Sequence, residues 1–292
     1  MEEGTIVKGI SGFYYVRIHD RHIVECRARG RFRKDNITPI VGDRVRIELI
    51  DEAHGVVDSI MERKNLLFRP LVANVDRAIM VFALRSPDIS LTLMDKLLLM
   101  IEHYNIEALI CLNKADLDDE GTLKKIKEIY CPIGYKVIAT NGRTGEGIEE
   151  LKEAIKGGIS VFSGPSGVGK STISNQLQSG TRMQTGEISE KISRGKHTTR
   201  HAELIEVDRD TFIVDTPGFS SIDLSFMEPE ELQYAFKEFK GYLGDCRFQS
   251  CLHNKEKDCG IKNAAALGEI SGSRYNAYVE ILGEIQSSRR KR

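Results

Sequence analysis

Hydrophobic and polar positions change their spacing twice along the chain, and each spacing predicts a different kind of domain. From Thr5 to Ile60 the apolar residues fall in short β-rich runs separated by glycine or polar breaks: TIVKG, GFYYVRI, HIVECRARGRFRK, DRVRIEL and GVVDSI. Several short strands with turns between them are typical of a small barrel or sandwich, and this length suits an OB-type barrel. We therefore predict an OB-like β-barrel over residues 1–62.

The middle of the chain alternates longer apolar runs with amphipathic ones. The runs AIMVFAL, EALICL, YKVIAT, ISVFSG and TFIVD are strand-like, whereas LTLMDKLLLMIEHY and TLKKIKEIY have helical spacing. Apolar strands that alternate with amphipathic helices predict parallel βαβ units packed as an α/β sandwich. We place this α/β domain at residues 76–225, and the basic, proline-containing stretch 63–75 before it as a linker.

The last part of the chain is predicted to be mostly helical and to bind zinc, over residues 226–292. The runs EPEELQYAFKEF, KNAAALGEI and SRYNAYVEILGEIQ have helical character. Among them, Cys246, Cys251, His253 and Cys259 supply three thiolates and an imidazole, enough for a closed tetrahedral Zn²⁺ site. Four protein ligands leave no open position, so the metal would be structural. The alternative is three buried free thiols and an exposed histidine.

A glycine-rich loop between a predicted strand and a predicted helix carries the first chemical signal. Its residues are Gly164, Pro165, Ser166, Gly167, Val168, Gly169, Lys170, Ser171 and Thr172. Their spacing matches the phosphate-binding loop, in which glycines let backbone N–H groups surround the phosphates at a helix N-terminus. Lys170 would reach the outer phosphates, and Ser171 would bind Mg²⁺. The alternative, a glycine-rich turn without a ligand, is disfavoured by the complete match.

A second motif, Asn113-Lys114-Ala115-Asp116, follows the strand-like run EALICL, at the carboxyl end where α/β sheets bind ligands. The Asp116 carboxylate can accept from the ring N1–H and the exocyclic amine of guanine, a pair of donors that adenine lacks. Asn113 can bridge loop segments and contact the base, while the aliphatic stem of Lys114 can cover its face. Alone, the tetrapeptide could be a polar turn, but beside a phosphate loop it favours guanine.

Two further segments are candidates for binding the γ-phosphate and its Mg²⁺. Asp215-Thr-Pro-Gly218 follows the run TFIVD, so Asp215 would hold the Mg²⁺ shell and the Gly218 N–H would meet the γ-phosphate. A simple Pro-Gly turn is the alternative. Earlier in the chain, His197, Thr198 and Thr199 lie in a polar loop in which one threonine could complete the Mg²⁺ coordination. An ordinary surface loop remains the other interpretation.

The order of these motifs is reversed relative to ordinary guanine-nucleotide switches, in which the phosphate loop comes first. Here the order is 113–116, Thr140-Asn141, 164–171, Thr198-Thr199 and 215–218. This order resembles a circularly permuted GTPase. With a barrel before it and a cysteine–histidine cluster after it, the chain resembles the RsgA family of bacterial small ribosomal subunit biogenesis GTPases. Thr140-Asn141 departs from the Ser-Ala pair that the family more often carries at the second base contact.

The resemblance implies a function that the residues alone do not give. It implies a late-acting assembly factor on the small ribosomal subunit, with rRNA contacts from the barrel and the zinc domain and with ribosome-stimulated GTP hydrolysis. Phe219 stands where many switches carry a water-orienting glutamine, so intrinsic hydrolysis should be slow. His197, which titrates near neutrality, is the expected replacement, and the resemblance implies the same role. A solvated loop histidine is the alternative.

The charge distribution limits how RNA could be bound. The chain has 42 basic and 43 acidic residues, a net charge of -1, which excludes binding of polyanions by bulk charge alone. Between positions 17 and 46, however, four acidic residues accompany nine basic ones: Arg17, Arg21, Arg27, Arg29, Arg31, Arg33, Lys34, Arg44 and Arg46. If the stretch with Arg27, Arg29, Arg31 and Arg33 is a strand, these four guanidinium groups project from one face, which suits phosphate contacts on structured RNA. A merely solvated strand face is the alternative.

Composition and length place the protein in an ordinary class. The 292 residues have the apolar and charged content of a multidomain globular protein, and no run reaches the roughly 18 apolar residues that a membrane span requires. We expect a cytoplasmic monomer without a membrane partner. Two rival functions stay open: a nucleotide-gated RNA-binding module in which hydrolysis only resets the clamp, and a P-loop kinase, which the guanine-reading motif disfavours.

Overall fold

The computed structural model describes residues 1–19, 22–34, 37–68, 70–118, 120–182, 202–214, 224 and 226–289. Its strands are β1 (Glu2–Ile10), β2 (Phe13–Arg17), β3 (Ile23–Ala28), β4 (Arg44–Leu49), β5 (His54–Ile60), β6 (Leu66–Phe68), β7 (Leu71–Ala73), β8 (Arg77–Ala83), β9 (Glu107–Asn113), β10 (Lys136–Ala139), β11 (Gly158–Ser163), β12 (Leu204–Asp208) and β13 (Thr211–Val214). Its α-helices are α1 (Arg31–Lys34), α2 (Leu91–His103), α3 (Thr122–Tyr130), α4 (Ile148–Ala154), α5 (Lys170–Arg182), α6 (Leu232–Ala235), α7 (Gly260–Leu267) and α8 (Gly272–Arg289). Short 3₁₀ helices cover Ala115–Leu117, Lys237–Gly241 and Leu243–Asp245. Within these described ranges no helix is long and apolar enough to cross a membrane.

Internal contacts divide the chain into two compact units, and each unit draws on separate stretches of the sequence. The first comprises Met1–Ile79, Thr140–Ser163 and Gly169–Ser220. The second comprises Met80–Ala139, Gly164–Val168 and Ser221–Arg292. These units do not correspond one for one to the three sequence-predicted domains, so the limits of those domains stay predictions.

Five strands close the predicted N-terminal barrel, in the order β1-β2-β3-β5-β4. Neighbouring strands are antiparallel except for β3 and β5, which are parallel. Strand β4 shows why this sequence forms a barrel: Val45 and Ile47 are fully buried, whereas Arg44 and Arg46 are exposed. Successive side chains of a strand point to opposite faces, so the alternation fills the interior with apolar groups. The predicted small β-barrel is confirmed.

The prediction of a single basic strand face in this barrel is wrong. It concerned the alternating residues Arg27, Arg29, Arg31 and Arg33. Strand β3 ends before Gly30, and the residues after that glycine form the single helical turn α1, so the four arginines do not share one strand. Glycine weakens a strand interior because it has no side chain to pack. Arg29 and Arg31 instead each lie 3.2 Å from a carboxylate oxygen of Asp58.

The predicted linker contains a small hairpin of its own. Strands β6 and β7 pair antiparallel, and Asn65 closes the base of the hairpin with two hydrogen bonds to Val75. Asn74, in the left-handed conformation, donates from Nδ2 to the backbone oxygen of Gly42 at 2.9 Å, which attaches the hairpin to the barrel. Asparagine adopts the left-handed conformation more readily than most residues, so Asn74 suits this backbone position. The segment is therefore an ordered connection.

Six strands form the α/β sheet in the order β10-β9-β8-β11-β13-β12. Strands β10 and β9 are parallel, as are β11 and β13, which confirms the expected parallel sheet. The strands β8 and β9 are buried along almost their whole length, as expected for strands covered on both faces. The edge strand β12 was not predicted and runs antiparallel to β13, through a turn at Asp210 in the left-handed conformation.

Helices and short 3₁₀ turns make up the C-terminal part, as predicted, around an aromatic core. The rings of Phe236, Phe239 and Tyr278 lie 4.9 to 5.3 Å apart between centroids. The predicted helix over EPEELQYAFKEF is shorter than expected, because Phe236 is extended (φ -94°, ψ 98°) and separates α6 from the next 3₁₀ turn. Burying that ring against Phe239 and Tyr278 outweighs the helical preference of the run.

Arg274 on α8 is almost completely buried and holds two carboxylates of other elements. Its Nη1 donates to Asp95 Oδ1 on α2 at 2.6 Å, and its Nε donates to Glu238 Oε1 at 2.6 Å. The Tyr130 hydroxyl donates to the same Asp95 oxygen at 2.6 Å. Burial acts to lower the pKa of Arg274, but hydrogen bonding and the negative charges of Glu238 and Asp95 raise it overall. The guanidinium therefore stays charged and ties α8 to α2.

Replacing Arg274 should destabilise the protein strongly. Arg274→Met leaves two buried carboxylates without their cation, which typically costs about 3–5 kcal/mol of unfolding free energy. Urea unfolding followed by far-UV circular dichroism measures the effect. The control is Arg247→Met, because Arg247 pairs with Asp258 at 3.3 Å in an exposed position and such pairs contribute about 0–1 kcal/mol. Equal urea midpoints for the two variants would contradict the role of this network.

Candidate nucleotide site and metal centre

Asn113 joins the base-reading tetrapeptide to the phosphate loop. It is the last residue of β9, it is 3% exposed, and its Nδ2 donates to the backbone oxygen of Val168 at 2.7 Å. Both motifs belong to the second compact unit as far as Val168. A buried amide that bridges two loops fixes their relative position, since breaking the bond leaves a polar group unsatisfied. Two motifs 55 residues apart in the sequence thus meet in space.

Lys114 and Asp116 lie in the turn that follows β9. Lys114 is in the left-handed conformation (φ 58°), and its ammonium donates to the backbone oxygen of Ser86. The next residues form the 3₁₀ turn Ala115–Leu117, on which Asp116 is exposed. An exposed carboxylate beside an anchored lysine stem suits a planar ring that stacks on the stem and donates to the carboxylate. The turn can therefore present the two groups that the sequence predicted for guanine.

The first glycine of the predicted phosphate loop has a backbone conformation that favours glycine. Gly164 has a φ of 127°, and a Cβ at this position would lie 2.1 Å from the backbone oxygen of Val81. Only glycine fits there without displacing β8. Helix α5 begins at Lys170, and partial burial lowers the pKa of that lysine. A phosphate anion at this helix N-terminus would favour the charged ammonium again.

The remaining residues of the predicted phosphate loop differ in exposure. Pro165 and Gly169 are half-buried, Ser166 and Gly167 are exposed, and Val168 is buried. Ser171 and Thr172 are exposed in the first turn of α5, where a hydroxyl can reach a metal-bound phosphate.

Thr140 and Asn141 follow β10 and are both buried. The Asn141 side-chain oxygen accepts from the backbone N–H groups of Arg143 and Thr144 at 3.0 and 3.3 Å. The next residue, Gly142, accepts from Gln176 Nε2 on α5 at 3.1 Å. In this geometry Asn141 shapes its own loop, so the predicted second base contact at this pair stays a prediction.

Several predicted residues lie outside the described residues. They are His197, Thr198, Thr199, Asp215 and Gly218. The predicted roles of these residues in hydrolysis and Mg²⁺ binding therefore stay predictions.

The four predicted metal ligands converge. One ligand atom from each of Cys246, Cys251, His253 and Cys259 lies within 4.8 Å of the other three. His253 Nδ1 is 3.5 Å from Cys246 Sγ and 3.3 Å from Cys259 Sγ, and the two sulfurs are 3.9 Å apart. In a tetrahedral zinc site, ordinary bond lengths separate two sulfurs by about 3.8 Å and a sulfur from a nitrogen by about 3.6 Å. The group can therefore hold a metal ion.

The surroundings of the cluster also suit a metal. His253 Nε2 lies 2.9 Å from Gln233 Oε1, whose amide nitrogen donates to the backbone oxygen of Glu230. Gln233 therefore accepts from Nε2–H and leaves the Nδ1 lone pair facing the thiols, the outer-shell arrangement common for metal-bound histidine. Burial, together with hydrogen bonding and charge from Cys259, raises the pKa of Cys251 to about 12. A bound cation is what would keep such a thiol ionised at neutral pH.

Two family models match most of the chain. The family model described as RsgA GTPase matches residues 60–225, and the model described as RsgA N-terminal domain matches residues 3–57. The chain belongs to the RsgA GTPase family. The "Small ribosomal subunit biogenesis GTPase RsgA" of Alkaliphilus metalliredigens is 46% identical over 292 residues, covering 99% of this chain and 100% of that protein. The protein of the same name from Caldanaerobacter subterraneus is 46% identical over 290 residues, covering 99% and 98%.

Solved structures agree with this membership in the RsgA family. The crystal structure of YloQ, described as a circularly permuted GTPase, has a TM-score of 0.85 and 37% identity, and covers 99% of this chain and 96% of that one. The crystal structure of YjeQ from Thermotoga maritima has a TM-score of 0.84 and 38% identity, and covers 98% of each chain. The predicted fold, a barrel followed by a permuted GTPase and a C-terminal cysteine–histidine cluster, is thereby confirmed, and the protein is a GTPase.

Two contributors to these sites were not found from the sequence. Ser86 supplies a backbone oxygen to Lys114. Gln233 orients the histidine of the metal cluster. Neither belongs to a spaced motif, and Ser86 acts through its main chain, so no residue pattern pointed to them.

Gly164→Ala should weaken nucleotide binding. The added Cβ meets the oxygen of Val81, and alanine is strained at a φ of 127°, so the loop must shift. We expect the Kd for GDP to rise about tenfold or more, measured by isothermal titration calorimetry. Gly157→Ala is the matched control, because Gly157 has a φ of 71° but open space around its Cβ position. A variant at 164 that binds GDP like the control would refute the steric explanation.

Proposed function

We propose that this protein hydrolyses GTP as a late assembly factor of the small ribosomal subunit. The observation that carries the proposal is the 2.7 Å hydrogen bond from Asn113 to Val168, which places the guanine-reading turn against the phosphate loop. The names of the relatives, small ribosomal subunit biogenesis GTPases, support the ribosomal role. Fold likeness alone would not supply that partner.

The nucleotide roles follow from the chemistry of each group. Asp116 accepts from the two donors of guanine, Lys114 covers the ring, and Asn113 holds the turn on the loop. Backbone N–H groups of the loop from Gly164 bind the phosphates, with further charge from Lys170. We assign Mg²⁺ binding to the Ser171 hydroxyl, to Asp215 and to one of the two threonines 198 and 199, and assign contact with the γ-phosphate to the Gly218 N–H.

His197 is our candidate for orienting the attacking water. Phe219 follows the Asp-Thr-Pro-Gly turn and cannot accept a proton or hold a water. Another polar group or a partner must then do so, with His197 as the best candidate, and intrinsic hydrolysis should be slow until the small subunit engages the protein.

The metal cluster has a structural role in this proposal. We infer that it binds Zn²⁺ through Cys246, Cys251, His253 and Cys259, because thiolates with one imidazole in a closed site suit zinc. We also infer that the functional domains are the barrel at 1–62, the connection at 63–75, the GTPase at 76–225 and the zinc domain at 226–292.

Contacts with rRNA are assigned to the barrel and the zinc domain. The arginines of the barrel are not a bare cationic face, since Arg29 contacts Glu48 and Asp58, and Arg46 lies 3.0 Å from Glu3. Exposed pairs of this kind contribute about 0–1 kcal/mol, so phosphates can exchange with the carboxylates at little cost. We propose a monomer that works in the cytoplasm, where its partner is assembled.

Binding to purified small subunits tests this function. In sedimentation, the protein with a non-hydrolysable GTP analogue should pellet with the subunits, whereas the GDP form should stay in the supernatant. Multiple-turnover GTP hydrolysis should rise when subunits are added. Equal sedimentation in both states without stimulation would contradict the proposal. State-dependent sedimentation without stimulated turnover would favour a nucleotide-gated RNA-binding module.

Zinc content tests the metal assignment. The wild-type protein should contain about one zinc per chain by plasma mass spectrometry, and Cys251→Ser should lose it together with protease resistance of residues 226–289, since metal binding and folding are linked there. Cys131→Ser is the control, because Cys131 is an exposed free thiol outside the cluster. Equal zinc in both variants would rule out the assignment.

A further inference from the structure

One arginine of the barrel is attached to a hairpin of the GTPase sheet. Arg17, the last residue of β2, donates from Nη1 to Asp210 Oδ1 at 2.7 Å and from Nη2 to Glu206 Oε1 at 3.2 Å. Its guanidinium carbon also lies 5.2 Å from the ring centroid of Phe212. All three partners belong to β12, β13 or the turn between them, and all four residues lie in the first compact unit.

A second basic side chain reinforces the attachment. Lys8 Nζ lies 2.9 Å from a carboxylate oxygen of Glu203, and the two residues also form an antiparallel backbone bridge. Glu203 directly precedes β12, so strand β1 contacts the GTPase sheet at the start of its edge strand. The barrel thus contacts this edge through a backbone bridge and an ion pair at Lys8, and through ion pairs at Arg17.

The attached hairpin occupies a particular place in the sequence. It ends at Val214, directly before Asp215, and it begins shortly after Thr198 and Thr199. Both segments to which we assign the γ-phosphate and Mg²⁺ roles are therefore continuous with the same two strands. Whatever fixes these strands also fixes where the segment with Thr198 and Thr199 ends and where the segment from Asp215 begins.

The environment of Arg17 sets it apart from the other barrel arginines. The side chains of Arg17 and Glu206 are 13% and 21% exposed, and the more exposed Asp210 adds a second carboxylate, whereas Arg46 and its partner Glu3 are 53% and 57% exposed. The pair of Arg17 with Glu206 is therefore partly shielded from water, where a charge-assisted hydrogen bond is stronger. Arg17 is thus committed to the hairpin, while Arg46 is available for exchange with an outside anion.

We propose that Arg17 is a positioning residue for GTP hydrolysis. From its place in the barrel, it fixes the position of the β12–β13 hairpin. Occupancy of the barrel and occupancy of the γ-phosphate site are then coupled through this contact. Such coupling is reciprocal, so a nucleotide that distinguishes the two states must also alter the barrel. The inference rests on the proposed roles of Thr198, Thr199 and Asp215.

Hydrogen–deuterium exchange of the full-length protein tests the coupling without ribosomes. Wild-type protein should show different amide exchange in residues 2–17 with GDP and with a non-hydrolysable GTP analogue. Arg17→Ala should abolish the difference, and the matched control Arg46→Ala should keep it. Arg17→Lys should restore part of it, because one ammonium can still reach one carboxylate. An undiminished difference in Arg17→Ala, or none in the wild type, would overturn the proposal. The Kd of each variant for both nucleotides is measured alongside. A lost exchange difference with unchanged Kd values reports on the coupling, whereas absent GTP binding in the wild type would refute the proposed function instead.

Turnover with small subunits distinguishes positioning from direct RNA contact. Arg17→Ala and Glu206→Ala should each lower the rate constant at saturating subunits, Arg17→Ala by about tenfold, which is usual for coupled sites. The double variant should be no slower than Arg17→Ala, since that substitution already removes the contact with Glu206. The half-saturating subunit concentration should not change. If Arg17→Ala raises that concentration while Glu206→Ala leaves turnover intact, Arg17 contacts RNA directly and the proposal is wrong.

Discussion

The buried hydrogen bond between the Asn113 amide and the Val168 carbonyl holds together the two parts of the proposed nucleotide site. A nucleotide site needs its base-reading turn and its phosphate loop at one edge of a sheet, whatever their order along the chain. Parallel strands bring their carboxyl ends to the same edge, so the order of motifs can be permuted if contacts of this kind survive. Here the bond is 2.7 Å long across 55 residues of sequence.

Motifs whose requirements are local could be predicted from the sequence. Gly164 has the left-handed φ of 127° that its own loop requires, and the four metal ligands lie within one short stretch. Contacts between distant elements could not be predicted: Arg274 meets Asp95 across 179 residues, and Arg17 meets Asp210 across 193. Nothing in the neighbouring sequence of an arginine indicates which distant carboxylate it will meet. The basic strand was mispredicted for a related reason, since pattern alone did not show that β3 would stop before Gly30.

Helix α8 connects the metal cluster with the GTPase part of the second compact unit. Tyr275 and Tyr278 donate to the backbone oxygens of His253 and Leu252 at 2.9 and 3.0 Å, while Arg274 of the same helix holds Asp95. The loop that carries the metal ligands is therefore hydrogen-bonded to α8, which is itself fixed to α2. A metal ion bound by this cluster would therefore also stabilise the contact between α8 and α2, and its loss would affect more than the ligand loop.

The nucleotide preference of Asp116→Asn is the sharpest test of the proposal that Asp116 binds guanine at a site completed by the phosphate loop. Xanthine carries an oxygen where guanine carries the amine, so an amide at this position can donate to it. The variant should bind GTP about 10- to 100-fold more weakly than wild type and should prefer XTP, as measured by competition calorimetry, because hydrogen bonds to a charged group contribute about 1.5–3 kcal/mol. An unchanged preference for GTP in the variant would rule out this role for Asp116.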